Sequence, residues 1–301
     1  MPIHPLLSPL DNTVGIWTSA HELTWPSATS DVARTIESLG FAALWFPEAW
    51  ARESLTSATL LLSATSRLRI ATGITNIWGR DAVATVNAAR TLNAAFDERF
   101  VLGLGVSHRP LVERLRGQVY ESPLQTMRQY LDAMEAAPMH APEGQQPYPR
   151  VIAALGPQML RLGGERADGV HTYLVDVEHT AIARSHVGDK FIAVEQAVVL
   201  GGDREEFLRR AHTYLEFYTG LENYRANWRR MGFGDEDFVR GGSDRLCDAM
   251  VVHGDADAIE AAIKAHRQAG ANHVCLQVLG ERATEAPVAE WRTLATALRL
   301  S

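Results

Sequence analysis

Cysteine is scarce in this chain: two residues in 301, Cys247 and Cys275. They lack CxxC spacing and have no histidine at ligand spacing in sequence, so they form neither a disulfide framework nor a zinc motif. Both read as small buried hydrophobes in a reducing compartment. Long apolar runs are also missing. None approaches the roughly 18 to 20 residues that span a bilayer, which excludes a membrane-spanning helix. The opening residues, Met1-Pro2-Ile3-His4-Pro5, show no basic segment followed by an apolar one, and the expected location is the cytoplasm. Positive charge falls short of negative, with 29 basic and 36 acidic side chains and a net charge of −7. Phosphate backbones and anionic membrane surfaces would repel such a chain, so neither nucleic acid nor membrane is an expected partner. His171, His179, His186, His212, His253, His266 and His273 show neither HExxH nor HxH pairing, and no metal site is expected. There is no internal repeat and no low-complexity tract.

What is present is an ordinary globular composition, 46% apolar and 22% charged. Short β-rich apolar runs alternate with longer segments of helical period, the pattern of a parallel sheet wrapped by helices. Eight strands are predicted, at Val14–Thr18, Ala43–Pro47, Leu68–Gly73, Phe100–Gly105, Val151–Leu155, Gly169–Leu174, Phe191–Leu200 and His273–Leu279. Eight strands in a chain of this length favour a closed (β/α)8 barrel over a doubly wound open sheet. Helices are predicted over Ser30–Leu39, stopped by Gly40, and over Ala82–Ala95. The regularity fails twice. Between the fourth and fifth strands, Pro110–Pro149 has room for two helices and a loop rich in Pro, Gly and Gln. Between the seventh and eighth, Arg204–Tyr218 runs on into Leu221–Asp248 and a helix over Asp255–Ala269, an insertion that is expected to add no second core.

In a parallel barrel the chemistry sits at the carboxyl ends of the strands. After the second strand comes Trp45-Phe46-Pro47-Glu48-Ala49-Trp50, an acid among aromatics. Desolvation there would raise the carboxyl pKa and suit a general acid or base. A structural ion pair with Arg52 or Arg80 is the alternative. The third strand leads into Gly73-Ile74-Thr75-Asn76-Ile77-Trp78-Gly79-Arg80, where a glycine among β-branched residues marks a bulge or a close backbone approach. The fourth ends Gly103-Leu104-Gly105-Val106-Ser107-His108. This is half of a GxGxxG fingerprint with His108 in place of the third glycine, which disfavours a nicotinamide site. At Leu155-Gly156-Pro157 the chain offers either a plain turn or a helix amino terminus that could hold phosphate. Tyr214–Met231, rich in aromatics and arginine, has acids interleaved. It reads as a helical face against a dimer partner or over a substrate, not as a nucleic-acid platform.

These segments resemble the luciferase-like monooxygenase superfamily and, within it, the deazaflavin-dependent oxidoreductases. The likeness runs from about Val14 to Leu279. It is most specific at Gly40–Glu48, Ala71–Ile74, Val101–His108, Ala153–Pro157 and Gly164–Gly169. The resemblance implies one TIM-barrel domain over residues 1–301, with insertions after strands four and seven, working as a homodimer on a small-molecule substrate. It implies coenzyme F420 as cofactor, with FMN the alternative, and a cis peptide bond between Gly73 and Ile74 at the cofactor ring. By the same carry-over Gly73, Ile74, Asn76, Val106, Ser107, Leu155, Gly156 and Pro157 contact the cofactor. Glu48 stands where a sugar-phosphate dehydrogenase of the family has a histidine, and Lys190 and Lys264 are the only lysines; both departures argue against sugar phosphates. The activity so implied is hydride transfer between deazaflavin C5 and a small organic substrate. The alternatives are an FMN-dependent monooxygenase and a non-catalytic flavin-binding barrel. Glu48 is expected to be the acid or base, shielded by Trp45, Phe46 and Trp50, with His108 its rival.

Overall fold

The computed structural model describes residues 3–49, 51–138, 144–282 and 285–300. Ten strands form one parallel sheet: β1 (Thr13–Trp17), β2 (Ala43–Phe46), β3 (Arg69–Thr72), β4 (Thr75–Asn76), β5 (Phe100–Gly105), β6 (Arg150–Ala153), β7 (Gly169–Thr172), β8 (Phe191–Leu200), β9 (Val251–Gly254) and β10 (His273–Val278). Eight of them close a barrel in the order β10-β1-β2-β3-β5-β6-β7-β8, and β8 pairs back onto β10. The fold is therefore a closed (β/α)8 barrel and not an open sheet. Each of the eight expected strands lies within two residues of its predicted bounds, and β5 and β8 match at both ends.

The helices follow their sequence signals with one shift. Asp81 caps Ala82–Ala95 by accepting from the Ala84 amide at 2.8 Å. The helix predicted over Ser30–Leu39 starts four residues earlier, at Pro26. Proline's fixed φ suits the first helical position, so it outweighed Ser30-Asp31 as the start signal. After β5 the chain makes a short helical turn, Leu111–Leu115, and one regular helix, Pro123–Glu135. Part of the loop expected over Pro138–Pro149 lies outside the described residues.

The insertion after β8 corrects the expectation that it adds no second core. Helices Arg204–Tyr218, Glu222–Arg230 and Asp244–Met250 enclose an apolar cluster of their own, which includes Phe207, Leu215, Trp228, Phe238, Leu246 and Cys247. The strand β9, absent from the sequence reading, ties this cluster to the outer half of β8, with Val252 opposite Val198. Inside the barrel, Trp45, Ala71, Val101, Val151, Phe191, Ala193 and Cys275 fill the lower layers. The volume above them, at the carboxyl ends of the strands, is left for a site.

Candidate functional site

A cavity of about 630 Å³ opens at that end of the barrel. One wall is the junction of β3 and β4, where the Gly73–Ile74 peptide bond is cis, as the resemblance implied. The sequence of β5 explains how this wall is seated. A Cβ on Gly103 would lie 1.9 Å from the Thr72 carbonyl oxygen, and one on Gly105 would lie 2.4 Å from Ile74 Cδ1. Only glycine at both positions lets the bulge press against β5. The Thr72 hydroxyl completes the clamp, with Oγ1 2.8 Å from both the Gly103 carbonyl oxygen and its amide nitrogen. The half fingerprint Gly103-Leu104-Gly105 thus serves close packing of two strands, not phosphate binding.

Of the residues singled out in the sequence, Glu48, Gly73, Ile74, Val106, Ser107, His108, Leu155 and Gly156 line the cavity together. Asn76 and Pro157 do not. Asn76 is buried behind the wall, where its side-chain oxygen accepts from the Trp78 amide at 2.9 Å. Pro157 is the first residue of the helix Pro157–Arg166. Ser107 takes a left-handed φ of 55°, and its carbonyl accepts from the Tyr120 hydroxyl at 3.3 Å.

For Glu48 the alternative involving Arg80 is realised. Arg80 Nη2 pairs with one carboxylate oxygen, while Nη1, at 3.1 Å, and the Asn76 amide, at 2.7 Å, reach the other. Ser54 donates a further hydrogen bond at 3.3 Å. Arg80 is also 2.6 Å from Glu53. Burial pulls the guanidinium pKa down, but Glu48 and Glu53 more than offset it and leave it raised. Trp45 points into the barrel and stacks on His171, with centroids 4.7 Å apart, and Phe46 belongs to the apolar shell between barrel and helices. Trp50 lies outside the described residues.

His108 is held by Asn223 at 3.2 Å from Nδ1. An amide oxygen only accepts, so Nδ1 carries the proton and Nε2 keeps the lone pair. Phe217 and Tyr224 flank the ring, and enclosure drives its pKa down to about 4 against the pull of Asn223. Opposite, the helix Pro157–Arg166 begins at Gly156 without a side-chain cap. A Cβ on Gly156 would sit 3.5 Å from Arg230 Nη2, and burial lowers the pKa of Arg230. His179 fixes this turn from below, with Nε2 2.8 Å from the Leu155 carbonyl. Among the described residues Arg230 and Arg209, both on the cavity, have no carboxylate partner, whereas Arg210 pairs with Glu206 and Arg282 with Glu285. No group of three or more His, Cys, Asp or Glu among the described residues could hold a metal ion, and no described helix is long and apolar enough to cross a membrane.

The aromatic roof of the cavity falls largely within Tyr214–Met231, the stretch read as a helical face against a dimer partner or over a substrate, whereas the cavity floor was missed in the sequence. Tyr214, Phe217 and Tyr218 from Arg204–Tyr218, with Tyr224 from the next helix, cover the cavity together with Tyr173. On the floor, His171 Nδ1 donates to the Ala193 carbonyl at 3.3 Å while the buried Nε2 has no partner. That nitrogen is 3.1 Å from where a Cβ on Gly73 would be. Burial holds His171 and His266 near about 4, and burial with the neighbouring His171 brings His273 to about 3. These depressed values contribute stability that is complete above the ordinary imidazole value of 6.5 and is lost as pH falls toward about 4. The buried Glu195, raised to about 8, acts in the opposite sense, but one carboxyl opposes three imidazoles. A shift of this size corresponds to about 3 kcal/mol per fully buried group. The thermal midpoint should therefore be on the order of 10 °C lower near pH 4.5 than near pH 7. A calorimetric midpoint that is flat or rising over that interval would contradict neutral burial of these rings.

Comparison with known proteins agrees with this geometry. The luciferase-like monooxygenase family model matches residues 12–273. The chain is 28% identical over 183 residues to 5,10-methylenetetrahydromethanopterin reductase of Methanolobus tindarius, covering 54% of this chain and 52% of that one. Among solved structures, an F420-dependent secondary alcohol dehydrogenase in complex with an F420-acetone adduct superposes with a TM-score of 0.72 at 14% identity, covering 100% of this chain and 99% of that one. The FMN-bound oxygenating constituent of 3,6-diketocamphane monooxygenase from Pseudomonas putida does so at 0.66 and 16% identity, covering 94% and 95%. With its model spanning most of the sequence, and with the barrel and strand-end wall in place, the chain belongs to the luciferase-like monooxygenase family.

Proposed function

We propose that this protein is a coenzyme F420-dependent oxidoreductase that transfers a hydride between the deazaflavin and a small, unphosphorylated organic substrate such as an alcohol or carbonyl compound. The observation that carries the reading is the surplus of unneutralised cation beside an uncapped helix start. Arg230 and the free amides after Gly156 suit a phosphate, and Arg209 adds a second unpaired cation. FMN ends in one phosphate. F420 carries carboxylates beyond its phosphate, so a second cation favours it. The ring would lie against Gly73 and Ile74, flanked by Val106 and Ser107, with His171 Nε2 as an unpaired polar atom for its edge. Leu155, Gly156 and Arg230 would hold the phosphate, with Pro157 starting the helix and Asn76 bracing the wall from behind. The deazaflavin supplies a hydride acceptor and donor at C5.

The protein's own part is proton handling and exclusion of water. His108, neutral at pH 7, offers Nε2 to accept the proton of an alcohol, and Asn223 fixes the tautomer. Glu48, with both oxygens engaged, acts in this reading by holding Arg80 and the end of the bulge, not as the acid or base first expected. The whole chain is taken as one catalytic unit that pairs with a second copy in the cytoplasm. The FMN-bound structure that superposes over 94% of this chain supports, as second reading, a flavin-dependent monooxygenase.

Titrating the purified protein with F420 and with FMN separates these readings. F420 should bind and FMN negligibly; the reverse supports the monooxygenase, and binding of neither supports a non-catalytic barrel. Arg230→Ala should weaken F420 binding about 10- to 100-fold, the scale of a charge-assisted contact, with an unchanged thermal midpoint. Equal affinity in the variant would place the phosphate elsewhere.

A further inference from the structure

The strand β8 reads Phe-Ile-Ala-Val-Glu-Gln-Ala-Val-Val-Leu, and its one acid, Glu195, is 1% exposed. Strand alternation sends Gln196 outward, where its side-chain oxygen meets His266 at 2.8 Å. The same alternation sends Glu195 inward with Phe191 and Ala193, to the level just under the cavity. One carboxyl oxygen accepts from the Leu174 amide at 3.1 Å, and the other lies 3.5 Å from the Tyr214 hydroxyl. From there a chain of hydroxyls continues. Tyr214 is 2.9 Å from Tyr173, and Tyr173 is 2.8 Å from Tyr218. The Gln277 side-chain oxygen, also 2.8 Å from the Tyr173 hydroxyl, is a second acceptor for its single proton, which turns between Gln277 and Tyr218. The three tyrosines line the cavity and Glu195 stands behind them.

The groups that face Glu195 are Tyr214 and Tyr218 on one helix, Tyr224 on the next, Tyr173 beyond β7, and Cys275 directly across on β10. None carries positive charge. Among the described residues no Arg, Lys or His pairs with Glu195. An ionised carboxylate there would be a buried charge without a counter-charge, whereas the protonated acid can donate to Tyr214 Oη.

We propose that Glu195 stores a proton and that Tyr214, Tyr173 and Tyr218 pass it to the substrate cavity and back. This rests on the hydride-transfer reading and adds its missing half. His108 is neutral near pH 7 and suited to accept a proton, so reduction of a carbonyl needs a donor from elsewhere. Burial raises Glu195 to about 8, and two groups whose environments push their proton affinities apart divide the acid and base roles. In the reductive direction the substrate carbon gains the hydride, its C–O π bond breaks, and its oxygen takes the Tyr218 proton. The Tyr173 proton then moves to Tyr218, that of Tyr214 to Tyr173, and that of Glu195 to Tyr214. Glu195 ends ionised and recovers its proton by the same path after product leaves.

The test uses the full-length protein labelled with 13C at the glutamate carboxyls and followed by NMR against pH. One carboxyl should titrate near about 8 and vanish in Glu195→Gln; titration of Glu195 in the ordinary carboxylate range overturns the proposal. Tyr214→Phe removes the bridging hydroxyl and keeps the ring. It should lower carbonyl-reduction turnover at least tenfold near pH 7, with KM and F420 affinity unchanged, and erase the limb of the pH profile that follows Glu195. Unchanged turnover and profile in that variant also overturn the relay. The two arms separate the readings. A carboxyl titrating near 8 in a protein that takes up no deazaflavin removes the hydride-transfer reading and leaves the proton store standing. An ordinary carboxyl in a protein that binds F420 does the reverse.

Discussion

Replacing His108 with glutamine should lower alcohol-oxidation turnover ~10² to 10⁴-fold, the usual share of a general base, while F420 affinity stays within about twofold of the parent on the same scale of reasoning. Glutamine can still meet Asn223, but it has no lone-pair nitrogen to take a proton. The wild-type rate should rise with pH through about 4, as the His108 ring becomes neutral, and then level off. Glu48→Gln should behave differently. Removing one member of a buried ion pair costs about 3–5 kcal/mol when the other is stranded, and Arg80 here keeps Glu53. A loss of about 2 kcal/mol is expected, seen as a lower denaturant midpoint, with turnover of the folded enzyme within about tenfold. If Glu48→Gln abolishes turnover in a stable protein while His108→Gln works normally, the carboxylate carries the proton after all.

Gly103→Ala is expected to be the most damaging single-methyl change in the barrel, with a loss of more than about 3 kcal/mol, beyond ordinary overpacking. The added Cβ would lie 1.9 Å from a backbone oxygen, Thr72 O. No rotamer change relieves that contact; either β3 or β5 must move. Gly220→Ala serves as the control, since its nearest contact would be 3.4 Å and its expected effect is within about 1 kcal/mol. Equal unfolding midpoints for the two variants would show that the strands can separate without penalty.

The barrel was legible because each strand is a short apolar run and each crossover has a cap or stop, as Asp81 and Gly40 illustrate. The strand-end wall was legible through the same glycines, although their role in seating Ile74 needed three dimensions. Glu48 could be placed at a strand end, but its partner could not be chosen, because Arg52 and Arg80 are near it in different ways: one in sequence, the other through the fold of β4. Glu195 had a readable signal that was passed over. An acid in the middle of an otherwise apolar ten-residue strand is expensive to bury and asks for an explanation. Tyr173, Tyr214 and Tyr218 gave no such signal, since their hydroxyls converge only when the insertion folds back over the barrel. The insertion's own core was missed for a related reason. Its apolar positions are divided among one helix of 15 residues and two of 9 and 7, and nothing in the period of any one of them shows that they pack on each other.

The seat of Ile74 on Gly105 has an evolutionary consequence. The same side chain is at once cavity wall and barrel packing, so residues 74 and 105 share one volume. In relatives that keep this wall, a larger residue at the position of Gly105 should be accompanied by a smaller one at the position of Ile74. The pair should therefore drift as a unit, even where the rest of the cavity is rebuilt for another substrate.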